Sequence, residues 1–258
     1  MKKFITFFNE LANSWWGAVA FYTILPLPSH WSLQLGQIAR FAPIVGVLIG
    51  CLLALGDWCL SACHVPILTR SAIVVAGNIA LTGGLHLDGV IDTADGLAVL
   101  NPERRLTVMK ESTTGAFGVM AAVIVLLLKV SALSEINQYR WLILIISSGW
   151  ARWGQVGAIA LYPYLKAEGK GSFHKDCFQF PQDLFLGWIV VGLISVGGFF
   201  MLNLGVFSVL PLVFGTAIPL FVGWWFNWQL GGHTGDSYGA VVEWSEAIYL
   251  CVLTTLII

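Results

Sequence analysis

The chain has 258 residues, 57% of them hydrophobic and only 10% charged, with a formal net charge of −1, whereas a soluble domain carries about 25% charged residues. That balance excludes an ordinary soluble fold, and it excludes the basic field that nucleic-acid binding needs. It predicts an all-α, polytopic transmembrane helical bundle that forms one integral membrane domain over residues 1–258.

In chain order, Lys2 and Lys3 precede a short apolar stretch that Asn9 and Glu10 interrupt. The stretch is too short for a signal-peptide core, so retention of the N-terminus is expected. Residues 11–27 are aromatic and end at Pro26 and Pro28, which predicts an interfacial or re-entrant segment. Spans are predicted at about 41–60, 67–82, 116–133, 141–161, 184–204, 206–228 and 241–258. The count is six to seven, because Arg70 and Asn78 lie within 67–82 and Glu243 and Glu246 open the last segment. The five cysteines include no Cys-x-x-Cys pair, and Cys59 and Cys63 beside His64 read as helix filling or loop. Trp15, Trp16, Trp224, Trp225 and Trp228 read as interfacial anchors.

Lysines and arginines in the connections alternate unequally between the two sides. One side collects Lys2, Lys3, Arg40, Arg104, Arg105, Lys110, Lys166, Lys170 and Lys175, and the other only Arg70 and Arg140, nine against two. The positive-inside rule makes the richer side cytoplasmic, and it places 84–96 and 232–246 there together.

The densest chemistry lies in Gly84-Leu85-His86-Leu87-Asp88-Gly89-Val90-Ile91-Asp92-Thr93-Ala94-Asp95-Gly96. Asp88, Asp92 and Asp95 fall at i, i+4 and i+7, one face of a helix. Two such carboxylates about 6 Å apart repel by roughly 3 kcal/mol at an effective dielectric of about 20, so a cation is expected there. All-oxygen ligands suit a hard ion such as Mg²⁺. Arg104, Arg105, Lys110 and Glu111 follow, and metal-bridged phosphates need both kinds of charge. Three carboxylates would not enter lipid unpaired, so a helix end or a wet cavity is expected. His86, two residues before Asp88, is a candidate base.

A second constellation is Gly231-Gly232-His233-Thr234-Gly235-Asp236-Ser237-Tyr238-Gly239-Ala240. Its glycines and hydroxyls, with Thr234 and Gly235 at the centre, can present N–H groups to phosphate, and Asp236 can join a metal site. A third, Lys110-Glu111-Ser112-Thr113-Thr114-Gly115-Ala116-Phe117-Gly118, enters an apolar run as a helix N-terminus would. Arg152 inside a predicted span needs a partner, either an anionic substrate or an acidic side chain.

The run Gly83-Gly84-Leu85-His86-Leu87-Asp88-Gly89-x-x-Asp92-Thr93-x-Asp95-Gly96 resembles the signature of the cobalamin synthase, or adenosylcobinamide-GDP ribazoletransferase, family. Further pieces agree in order: Phe21 to Pro28, Phe41 to Gly46, Met109 to Ser112 with Gly115 and Gly118, and Gly231 to Asp236 with Gly239 and Ala240. Glu111 stands where such sequences usually carry Asp, and Ile24 where Arg is common.

The resemblance implies a multi-pass enzyme of the bacterial cytoplasmic (inner) membrane with its active site facing the cytoplasm. In it the 5′-hydroxyl of α-ribazole, or of its phosphate, attacks the cobinamide-side phosphorus of adenosylcobinamide-GDP and GMP leaves. On this reading Asp88, Asp92, Asp95, Glu111 and Asp236 hold Mg²⁺, while Arg104, Arg105, Arg152, Thr234 and Gly235 bind substrate. Asp92, Lys110 and His86 take catalytic parts, an aspartate or His86 accepting the proton. Membrane lipid is an expected partner, nucleic acid is not, and oligomers are compatible. The alternatives are a CDP-alcohol phosphotransferase acting on lipid, which the Asp spacing fits less well, and an ion-coupled transporter, against which the absence of a second copy of the motif counts.

Overall fold

The computed structural model describes residues 2–165, 172–202 and 208–256. Lys166 and Lys170, both in the charge distribution above, lie outside the described residues. So do the facing ends of the 184–204 and 206–228 segments, residues 257–258, and the side chains of Lys2 and Lys3.

Eleven helices are present among the described residues, and no strand. They are α1 (Lys2–Tyr22), α2 (Ala42–Ala62), α3 (Ile67–Leu81), α4 (Leu85–Leu97), α5 (Pro102–Val108), α6 (Ala116–Glu135), α7 (Arg140–Leu161), α8 (Ser172–Asp176), α9 (Gln182–Met201), α10 (Leu210–Leu230) and α11 (Gly235–Thr254). The predicted 11–27 segment is the second half of α1 and the non-helical chain after it, where Pro26 and Pro28 fall.

Four helical segments, 38–62, 116–135, 182–201 and 210–230, are each long and apolar enough to cross a membrane, and a fifth crossing arises if α3 and α4 count as one bent span. This is a multi-pass membrane protein. The predicted count of six to seven drew on α7 and α11 as well. They are about 33 and 30 Å long at 1.5 Å per residue. They carry more polar residues because other helices enclose them. α7 is buried along nearly its whole length against α2, α9, α10 and α11, so its side chains meet protein rather than lipid.

Small residues set the closest approaches. A Cβ at Gly46 of α2 would stand 2.3 Å from the Ser148 carbonyl oxygen of α7, and one at Gly50 would stand 2.5 Å from that of Leu144. Between α4 and α11 the same holds at Gly89, where a Cβ would lie 2.3 Å from the Asp236 carbonyl oxygen. Gly89→Ala is therefore expected to cost about 1–3 kcal/mol by overpacking, since backbone cannot rotate away. Gly56→Ala in α2, where a Cβ meets nothing within 4 Å, is expected to be neutral or stabilising. Thermal unfolding in detergent compares the two.

Two groups of charged side chains are paired inside the bundle. At one end Asp57 of α2 accepts from Arg140 of α7 (2.7 Å) and forms an ion pair with Arg70 of α3 (3.0 Å), and Arg140 also donates to the Leu133 and Ile136 carbonyls that end α6. Near the middle, Lys129 of α6 reaches Glu243 (2.6 Å) and Glu246 (3.0 Å) of α11. Glu246 accepts further from Asn78 of α3 and Ser148 of α7, each at 3.2 Å.

Candidate functional site

At the end of the bundle opposite Asp57 the chain turns sharply. Gly83 and Gly84 take φ of +60° and +74°, left-handed values that a side chain disfavours. α4 leaves α3 at 89° and lies across the bundle end, on α11 and α6 with α5 beside it.

At about 100° per residue, Asp88, Asp92 and Asp95 fall within an arc of about 60° on α4. Asp88 is exposed, and Asp92 and Asp95 are half-buried. His86, Val90 and Thr93 are buried on the inward side. The predicted acidic face thus points out of the bundle. His86, about 160° around the helix from Asp88, does not share it. It is 2% exposed, its ring lies beside that of Tyr22 with centroids 6.3 Å apart, and neither ring nitrogen has a partner. Arg152 lies beneath the same side of α4, fully buried, with one bond to the Ser148 carbonyl (3.0 Å). It is close enough to Glu246 and Glu243 to feel their charge, so acidic side chains, the second of its two expected partners, are its neighbours here.

The three aspartates have different surroundings. Asp95 accepts from the backbone N–H of Gly115 (2.6 Å) and Gly118 (2.8 Å) at the start of α6. It caps that helix from a distance, and a Cβ on Gly115 would lie 2.4 Å from its carboxylate. Asp236 is half-buried in the first turn of α11, and its backbone carbonyl packs against α4 at Gly89. Its Oδ2 accepts from Thr234 Oγ1 at 3.3 Å. Thr234 is also the N-cap of α11, accepting from Ser237 N at 3.2 Å, and Gly235 after it is exposed.

The basic residues divide as well. Arg104, Lys110 and Glu111 are exposed on the chain that follows α4. Arg105 instead donates to the carbonyls of Val99 (3.2 Å) and Gln229 (2.8 Å), fastening α5 to the end of α10. His233 is pinned between Gly223 O (3.1 Å) and Ser237 Oγ (3.0 Å). Facing a carbonyl, its Nε2 must donate, and burial pulls its pKa down to about 4, so it is neutral at pH 7.

A recess of about 570 Å³ opens beside Asp88, lined by Phe21, Thr23, Gly83, Gly84 and Ile91 among others. Among the described residues no three His, Cys, Asp or Glu side chains stand close enough to hold a metal ion by themselves. That is no obstacle to Mg²⁺, which takes one or two carboxylates and completes its shell with phosphate oxygens and water. The donors on the outer face of α4 and on α11 are hard oxygens that fit such an ion.

In the sequence Lys129 falls within the predicted 116–133 span, Arg152 within 141–161, and Glu243 and Glu246 at the start of the last one, and no spacing pairs them. The available signal was that each is an intramembrane charge needing an opposite one.

A family model described as cobalamin-5-phosphate synthase matches residues 14–254. A protein of Trichormus variabilis is 54% identical over 241 residues, covering 93% of this chain and 95% of its own. One of Thermosynechococcus vestitus is 48% identical over 246 residues (95% and 98%), and one of Prochlorococcus marinus is 34% identical over 252 (93% and 95%). All three are named adenosylcobinamide-GDP ribazoletransferase. No solved structure matches.

Proposed function

The chain belongs to the cobalamin-5-phosphate synthase family, and from that membership we propose that it joins α-ribazole, or its 5′-phosphate, to the cobinamide phosphate of adenosylcobinamide-GDP on the outer face of α4. The ribazole 5′-oxygen forms a bond to the cobinamide-side phosphorus, the bond from that phosphorus to the bridging oxygen breaks, and GMP leaves. The observation that carries this reading is the outward acidic face of α4, with the first turn of α11, which bears Asp236, packed on α4 at Gly89.

One or two of Asp88, Asp92 and Asp236 would hold Mg²⁺, and Glu111 is exposed on the chain after α5. When bound, such an ion neutralises diphosphate oxygens and polarises the reacting phosphorus. Asp95, whose two oxygens already accept backbone N–H groups, orients α6 under the site and has only its remaining lone pairs for a ligand. The hydroxyl proton goes to a carboxylate of the outer face rather than to His86, which is buried on the inner one. Arg104 and Lys110, exposed beyond α4, are placed to neutralise charge on the departing nucleotide. Arg105 positions the α5 turn that bears them.

A cytoplasmic orientation for this end is supported by the charge pattern. The two arginines of the opposite end, Arg70 and Arg140, both pair with Asp57, so their charge is partly cancelled locally. The test is GMP release by the purified protein in detergent. Release from adenosylcobinamide-GDP is expected only with both α-ribazole and Mg²⁺ present, and release that ignores α-ribazole would refute the transfer.

A further inference from the structure

Beneath α4, on the side turned away from the aspartates, the bundle holds a second cavity of about 650 Å³ between α4, α6, α10 and α11. Its lining is apolar apart from the indole N–H groups of Trp225 and Trp244 and the hydroxyl of Thr93, which is 1% exposed and has no partner. The space equals about twenty waters at liquid density, and each would need two to four polar partners that this lining lacks. Water does not fill it.

Its mouth lies between α6 and α10, both long and apolar enough to cross the membrane. Phe117, Met120, Ile124 and Phe221 line the cavity and are also 49–60% exposed, so the cavity surface runs without a break into the lipid-facing surface. A crevice open to hydrocarbon and unable to hold water takes hydrocarbon. We infer that an acyl chain of a bilayer phospholipid enters between α6 and α10 and packs under α4, bracing from below the helix whose upper face bears Asp88 and Asp92.

The test uses Trp244 of α11, which lines the cavity, and needs no substrate, so it succeeds or fails independently of the transferase reading. Trp244 fluorescence is isolated as the difference between wild type and Trp244→Phe. In vesicles of phosphatidylcholine brominated at mid-chain that difference is expected to fall at least twofold relative to unbrominated vesicles. Ala121→Phe, which fills the cavity from α6, or Ala94→Leu, which fills it from α4, is expected to remove most of the quenching. Equal brightness in both vesicles would overturn the inference. Quenching unchanged by the filling variants would place the lipid outside the cavity and overturn it too.

Discussion

Replacing Asp92 with asparagine is expected to lower GMP release by on the order of 10³-fold, as loss of a group that stabilises transition-state charge does, while insertion and thermal stability are kept. Asparagine matches the shape of the side chain and removes only its charge. On the outer face of α4 that charge stands one turn from Asp88, so its loss lessens like-charge repulsion along the helix. Asp95→Asn is the instructive contrast. Asp95 accepts from two backbone N–H groups of α6, and an amide offers one acceptor and turns a donor toward the other. About 1–3 kcal/mol of stability is expected to go, with turnover falling less than in Asp92→Asn. Thermal unfolding and GMP release, measured on both variants, separate the roles. Asp92→Asn turning over normally in Mg²⁺ would defeat the assignment.

What was legible in the sequence followed from periodicity and composition. Three aspartates at helical spacing between glycines do lie on one side of a helix, and the low charge content does mark a membrane bundle. The helix that bears them was harder to see, because nothing in 67–97 shows that Gly83 and Gly84 turn the chain through 89° and lay α4 across the bundle. Without that turn, His86 reads as a neighbour of Asp88, because two residues of separation look close in sequence. On the helix those two residues are about 200° of rotation, which sends the imidazole inward. Arg105 shows a related effect: a basic residue near an acidic motif suggests phosphate, and spacing gives no sign that its fork also meets the carbonyls of Val99 and Gln229. The polar helices α7 and α11 blurred the span count because burial among other helices frees them from the apolarity that lipid demands.

Lys129→Met should have the largest effect on folding. Lys129 is 2% exposed and bonds both Glu243 and Glu246, themselves 4% and 3% exposed. The cluster balances two carboxylates against Lys129 and Arg152, so removing the ammonium leaves two buried carboxylates facing one guanidinium. Breaking a buried pair from one side costs about 3–5 kcal/mol, which for a chain of this size is a fall of roughly 10 °C in unfolding temperature. The methionine stem packs much as the lysine stem does, so lost volume contributes little. The cause is checked by a second change. Lys129→Met with Glu243→Gln leaves Glu246 opposite Arg152 and restores the balance, so it is expected to recover a large part of the loss. If the double variant is no more stable than the single one in detergent melts, the cost is not electrostatic.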